Sequence, residues 1–371
     1  MPKPAKQIAA AARSGDEARA LKLLKRHPEA AKDWQPLMDA CFFEREKLVA
    51  ALLKAGADPN VLSKTNHRHR PLHRVIEHKK TLPKSKAHER IAGMLLKAGA
   101  DPLLRGTHAN WSAVALAACG GEPRFVPLLE KQLKRPDIWT AAAFGDLARV
   151  EALLKQDQQL ATARDETGWT PLLFACASRR HQAEPKYGTA LREIAKRLLK
   201  LGASANEAFL FEGKWPLPAL YWATGWANHP ELAEILLKAG ANPHDGESLH
   251  HSAEGAYTRC LELLVEHGCD LNHKHETARN TALHFVIMWT SIQGVPWLLE
   301  HGADPNLKCG KDQETALHAA ARRGLNEKFL KLLLDHGAKL DLKNGKGLTP
   351  FQVAQQAGKR NAAAFLKAQV R

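Results

Sequence analysis

The sequence predicts an all-α solenoid of about eleven helix-loop-helix units, and three observations carry that reading. A Gly-Ala-Asp-Pro-Asn-like pentapeptide recurs seven times, opening at Gly56, Gly99, Gly202, Gly240, Gly268, Gly302 and Gly337. Each copy follows a Leu-rich helical run, as in Trp297-Leu298-Leu299-Glu300-His301-Gly302. Between copies a Pro or Ala opens a shorter helix, as in Ala282-Leu283-His284-Phe285-Val286. A period between about 20 and 50 residues marks stacked units, each too small to bury its own apolar face. Such a stack presents a long binding surface and lowers the expectation of a single catalytic pocket.

Each element has a local cause. Pro tolerates the first helical turn, where its missing N–H costs nothing. The glycine after the second helix supplies a left-handed residue that ends it. Asp-Pro-Asn then begins the extended turn to the next unit. The first unit runs from Ile8 to Lys32, with residues 1–32 as a cap. Units follow at about 33–65, 66–105, 106–133, 134–163, 164–205, 206–244, 245–273, 274–307 and 308–342. Residues 343–371 close the stack, and 1–371 reads as one continuous array. Units one and five share a Gly-Asp…Leu-Leu-Lys pattern (Gly15-Asp16…Leu23-Leu24-Lys25 and Gly145-Asp146…Leu153-Leu154-Lys155), which suggests an old duplication.

The segments Thr170-Pro171-Leu172, Thr281-Ala282-Leu283-His284, Thr315-Ala316-Leu317-His318-Ala319-Ala320 and Leu348-Thr349-Pro350-Phe351 resemble the T-P-L-H-x-A signature of ankyrin repeats. With the Leu-Leu-x-x-Gly-Ala-Asp element they cover nearly the whole chain. The resemblance implies an ankyrin-repeat solenoid in which His73, His284 and His318 bond neighbouring loops. It also implies that the turn into each inner helix faces a concave groove that contacts partners.

Two units are longer than the rest. Pro71 to Gly99 spans 28 residues and Pro171 to Gly202 spans 31, against about 20 in intact units. The insertions fall near residues 79–88 and 179–190 and read as expanded inter-helix loops, serving either a binding face or nothing beyond tolerated surface. Lys64 to Arg90 holds nine Lys/Arg against Glu77 and Glu89, plus five histidines. His69, Arg70, His78, Lys79, Lys80, Lys84 and Lys86 are the candidates there for an acidic ligand.

Trp34, Trp111 and Trp169 share one register, two residues before the Pro or Ala that opens the inner helix. Phe42, Phe43, Trp226, Trp289, Arg322 and Arg323 fall at inner-helix ends, with Arg179 and Arg180 just beyond one. One reading is a groove of aromatic platforms interleaved with cations, which suits an acidic peptide or nucleobases and phosphates. The other is that individual tryptophans pack between loops.

The formal charge of +15 and pI near 9.6 fit acidic partners or simple solubility. Six scattered cysteines without a C-x-x-C pair read as small core side chains in a reducing, intracellular and cytoplasmic setting. No apolar run approaches the roughly 18 residues that span a bilayer, so no membrane insertion is expected. His267, His301 and His336 precede the helix-ending glycine, where a cation complements the helix dipole. No zinc spacing, phosphate loop or nucleophile elbow is present, so no metal, cofactor or catalytic residue is assigned. The expectation is a monomeric, non-catalytic scaffold for an acidic protein or peptide, with DNA or RNA as the alternative ligand.

Overall fold

The computed structural model describes residues 3–65, 68–77, 85–107, 110–120, 122–133, 135–289 and 291–370. His78, Lys79, Lys80 and Lys84, and with them most of the first insertion, lie outside this set. The described chain is helical, with two short hairpins, and divides into compact units Met1–Leu201 and Gly202–Arg371.

Unit 1 opens with α1 (Pro4–Ser14) and α2 (Glu17–Arg26), followed by α3 (Trp34–Phe42), α4 (Glu46–Lys54), α5 (Pro71–Ile76) and α6 (Lys86–Lys97). The hairpin β1 (Arg105–Gly106) and β2 (Trp111–Ser112) leads into α7 (Ala113–Ala115), which continues as a wide π turn to Gly120. The unit ends with α8 (Val126–Glu130), α9 (Ile138–Phe144), α10 (Leu147–Gln156), α11 (Pro171–Ala177), α12 (Arg180–Ala183) and α13 (Pro185–Lys200). Inner helices α1, α3 and α5 pack in succession, and outer helices α2, α4 and α6 do the same. The second insertion is not a loop. It forms α12 and lengthens α13 to 16 residues, because Pro185 starts a helix readily and Leu191, Ile194, Ala195 and Leu198 keep one face buried.

Unit 2 opens on the hairpin β3 (Ala208–Phe211) and β4 (Trp215–Pro218), then α14 (Ala219–Tyr221) with a second π turn to Trp226. Helices α15 (Pro230–Lys238), α16 (Ser248–Glu254), α17 (Thr258–Glu266), α18 (Ala282–Trp289) and α19 (Val295–Glu300) follow. The last four are α20 (Ala316–Arg323), α21 (Glu327–Asp335), α22 (Pro350–Gln356) and α23 (Arg360–Gln369).

The recurring motifs explain how successive repeats are joined. All seven pentapeptide glycines have φ between 85° and 97°, a region that side chains with a Cβ disfavour. The asparagine ending the motif ties its repeat to the next one. Asn306 Nδ2 donates to Gly337 O at 2.9 Å, and its Oδ1 accepts from Lys339 N at 2.9 Å. Asn60, Asn206 and Asn272 make the same pair of bonds to Gly99 and Asp101, Gly240 and Asn242, and Gly302 and Asp304. All six cysteines stand outside any disulfide and are buried in the core. Burial drives the Cys260 and Cys269 thiols up to about 12 and those of Cys119 and Cys176 higher still.

Candidate functional site

The histidine of the inner-helix motif forms the second connector. Its ring bonds the backbone of the following turn: His73 to Trp111 O at 2.9 Å, His284 to Glu314 O at 3.1 Å and His318 to Leu348 O at 2.9 Å. His250 does the same to Asn280 O at 3.3 Å, and the Ser248-Leu249-His250 triplet was the signal for it. Burial pushes His73, His250 and His284 down to about 4, against the pull of those carbonyls. These imidazoles are structural and neutral near pH 7. His267, His301 and His336 each bond the carbonyl four residues earlier, at 2.9, 2.8 and 2.9 Å. Among the described residues no group of three or more His, Cys, Asp or Glu is arranged to hold a metal ion.

The shared register of the three tryptophans does not give three exposed rings. Trp111 and Trp169 are 3% and 0% exposed and meet edge-on at 5.3 Å, with Trp169 also against Phe174. The cause is local. α9 begins soon after α8, so the turns that precede α7 and α11 meet across the gap and the indoles fill it. A Cβ on Gly120 would stand 2.4 Å from the Trp111 ring, so glycine makes room for it. Trp34 alone of the three is half-buried.

Several cations expected to meet a ligand are instead committed within the fold. Arg180 is 3% exposed, lies 3.5 Å over the Tyr187 ring and donates to Phe144 O, locking the helical insertion to α9. His69 is buried 3.1 Å from Glu77. Arg70 is half-buried and donates to Arg105 O at 2.8 Å and to Asn60 O. Arg179 is half-buried, its backbone N–H donating to Ala118 O at 2.8 Å. Lys86 is exposed at the start of α6.

Two surfaces remain. In unit 1, Phe42 and Phe43 close α3 half-buried, edge-on at 4.8 Å, with the Arg74 guanidinium 4.1 Å over Phe42. Arg13 pairs with Asp39 beside them. Burial raises the Asp39 carboxyl, while Arg13 and Arg74 pull it down. In unit 2, Trp289 ends α18 with 62% of its surface exposed. Exposed Arg323 donates to Ile287 O, and exposed Arg322 grips Glu314 Oε2 through Nε at 3.1 Å and Nη2 at 2.8 Å. Trp226 is half-buried, edge-on to Trp222 at 5.5 Å.

Charge separates the two units. Residues 1–201 hold 36 Lys/Arg against 21 Asp/Glu, whereas residues 202–371 hold 18 of each. The whole net charge of +15 therefore belongs to unit 1. Whole-chain composition hid this partition, and counting by unit would have exposed it.

Comparison with known proteins follows the geometry. Family models described as ankyrin repeats match residues 32–64, 220–309 and 298–354. A comparison with curated proteins gives no match. Among solved structures, the human ASB11 ankyrin repeat domain is 25% identical with a TM-score of 0.49, covering 63% of this chain and 97% of its own. The ankyrin repeat domain of Bcl-3, a member of the IkappaB protein family, is 26% identical with a TM-score of 0.49, covering 63% of this chain and 99% of its own. No described helix is long and apolar enough to cross a membrane. Ankyrin repeats generally mediate protein–protein interaction and are typically non-catalytic scaffolds. From its family matches and its repeated helix pairs, this chain is an ankyrin-repeat protein.

Proposed function

We propose that the chain is a non-catalytic scaffold that captures an acidic protein or peptide on unit 1. The observation that supports this reading most is the confinement of the net charge to residues 1–201. Arg13 and Arg74 are each paired, with Asp39 and Glu77, so the attraction comes from the field of the whole unit rather than from one bridge. A field of this kind raises the rate of encounter and sets orientation. Phe42 and Phe43, with Trp34 at the other end of α3, supply the apolar anchors that such interfaces need at their centre.

Capture of partners on the full chain, with cross-linking and mass spectrometry, tests the reading. Cross-links should concentrate on the lysines of residues 1–201 and join acidic segments of the partner. Binding should weaken severalfold between about 50 and about 500 mM salt. Partners that cross-link only to residues 202–371, or binding indifferent to salt, would contradict it. A steep log-linear salt slope with plain DNA or RNA, and no captured protein, would replace the protein ligand with nucleic acid.

A further inference from the structure

We infer that the junction at repeat five is a second binding site, for an extended peptide that carries a basic side chain among apolar ones. At most other junctions, as between α4 and α5, α6 and α7, α17 and α18 or α19 and α20, an extended turn stands between the outer helix and the next inner helix. Here the chain runs through Pro136 straight into α9, and Asp137 caps that helix, its Oδ1 accepting from Thr140 N at 2.7 Å. Both cross-repeat connectors are missing at the same place. Leu103 occupies the position that Asn60 holds one repeat earlier, and it is 48% exposed. Ala115 occupies the position of the connector histidines, where nothing longer is needed to reach a turn that does not exist.

The neighbouring turns close over the gap without filling it. Arg105 reaches Asp165 at 3.0 Å and Thr167 Oγ1 at 3.3 Å, while the Trp111–Trp169 pair joins the same two turns. The cavity left between them measures about 590 Å³, within the range of sites that hold ligands. Its lining is apolar where Leu103, Ala115, Trp139 and Phe174 stand, and carboxylate where Asp137 and Glu166 stand.

Charge decides the chemistry of the guest. Arg105 is matched by Asp165, whose side chain is 4% exposed. Arg164 turns its guanidinium to Gly168 O at 2.9 Å. Asp137 and Glu166 are exposed carboxylates, and with Asp165 against Arg105 and Arg164 they leave the lining one negative charge in excess, opposite in sign to the net charge of unit 1. A Lys or Arg stem can lie along Leu103 and the Trp139 ring while its head meets those carboxylates. Polypeptide is the fitting guest because the vacancy stands where most other repeats place an extended segment of their own. This site and the proposed acidic partner differ in ligand charge and in residues, so either can fail alone.

The test titrates the full chain with fluorophore-labelled, end-blocked Gly-Leu-Arg-Leu-Gly, its Glu-for-Arg counterpart and free arginine amide, read by anisotropy and competition. The Arg peptide should bind at least about tenfold more tightly than the other two. Asp137→Asn, which keeps the cap, combined with Glu166→Gln should weaken it about tenfold with the melting temperature unchanged. Ala115→Leu should block the site, and if that variant does not fold, the charge-neutral pair decides. Equal binding of the Arg and Glu peptides overturns the inference. So does an unaffected double variant, binding of arginine amide as tight as the peptide, or no binding of the Arg peptide up to about 1 mM.

Discussion

Unit 2 is the regular part of this molecule and unit 1 the irregular one. In unit 2, Asn206, Asn272 and Asn306 and His250, His284 and His318 repeat the same two connectors, and positive and negative side chains balance. In unit 1, Asn60 and His73 make those connections once, then the pattern lapses at the entry to repeat five, with Leu103 and Ala115 in the connector positions of the two repeats before it. The lapse coincides with the buried Trp pair and with a cavity, and the unit carries all the net charge. Regular repeats spend their polar side chains on holding neighbours together. Where the pattern breaks, side chains become available for other contacts.

The sharpest way to break this comparison is to cut one tryptophan from each unit. Trp169→Ala should cost about 3–5 kcal/mol, whereas Trp289→Ala should stay within about 0.5 kcal/mol, both read from urea unfolding of the full chain. Similar losses would mean that burial does not separate the two residues.

Acid comes next, and unit 2 should feel it more. His73, His250 and His284 have folded values near 4 against an unfolded value of 6.5. A depressed value means the stability is complete above about pH 6.5 and lost as pH falls toward 4, at most roughly 3 kcal/mol per histidine. Unit 1 has one of these residues and unit 2 has two, with His318 lowered as well. Hydrogen exchange between pH 7 and 4 should show residues 202–371 opening before residues 1–201. His251 answers at the other end of the scale. Burial lowers it, but Glu247 and Glu254 outweigh that and hold it near 9. Its contribution is full below 6.5 and disappears as pH rises through 9. His251→Gln should flatten the alkaline limb of a stability profile, and because, against burial, His251 also helps hold the Glu247 carboxyl down to about 2, part of that carboxylate's contribution to the acid limb should go with it.

The smallest effect concerns the asparagine connector. Asn306→Ala should cost about 1 kcal/mol, seen as a shift in the urea midpoint. Leu103→Asn should gain nothing, since repeat four ends without the Gly-Ala-Asp backbone that Asn60 grips. A gain there would show that the position still has a partner.

Most of the fold was legible because its signals are local. Glycine after Leu-Leu, Thr-Pro at a helix start and His two residues after the Pro each act within one turn. The aromatic site was not legible for the opposite reason. Trp111 and Trp169 share a register with Trp34, but their burial depends on a turn that is missing two helices away, and no residue near either tryptophan announces it. Arg180 misled in the same manner: it looked like a loop cation until Pro185 began a helix and Tyr187 came to lie under its guanidinium. Arg13 was missed because its partner Asp39 is 26 residues distant.

The enclosed thiols offer a clock for each stretch of the array. Cys41, Cys119, Cys176, Cys260, Cys269 and Cys309 are spaced along the repeats, shut away from reagent. A maleimide or iodoacetamide can therefore modify each sulfur only during a transient opening of its surroundings. Peptide-resolved alkylation over time would rank those openings from one end of the chain to the other, with no label engineered in.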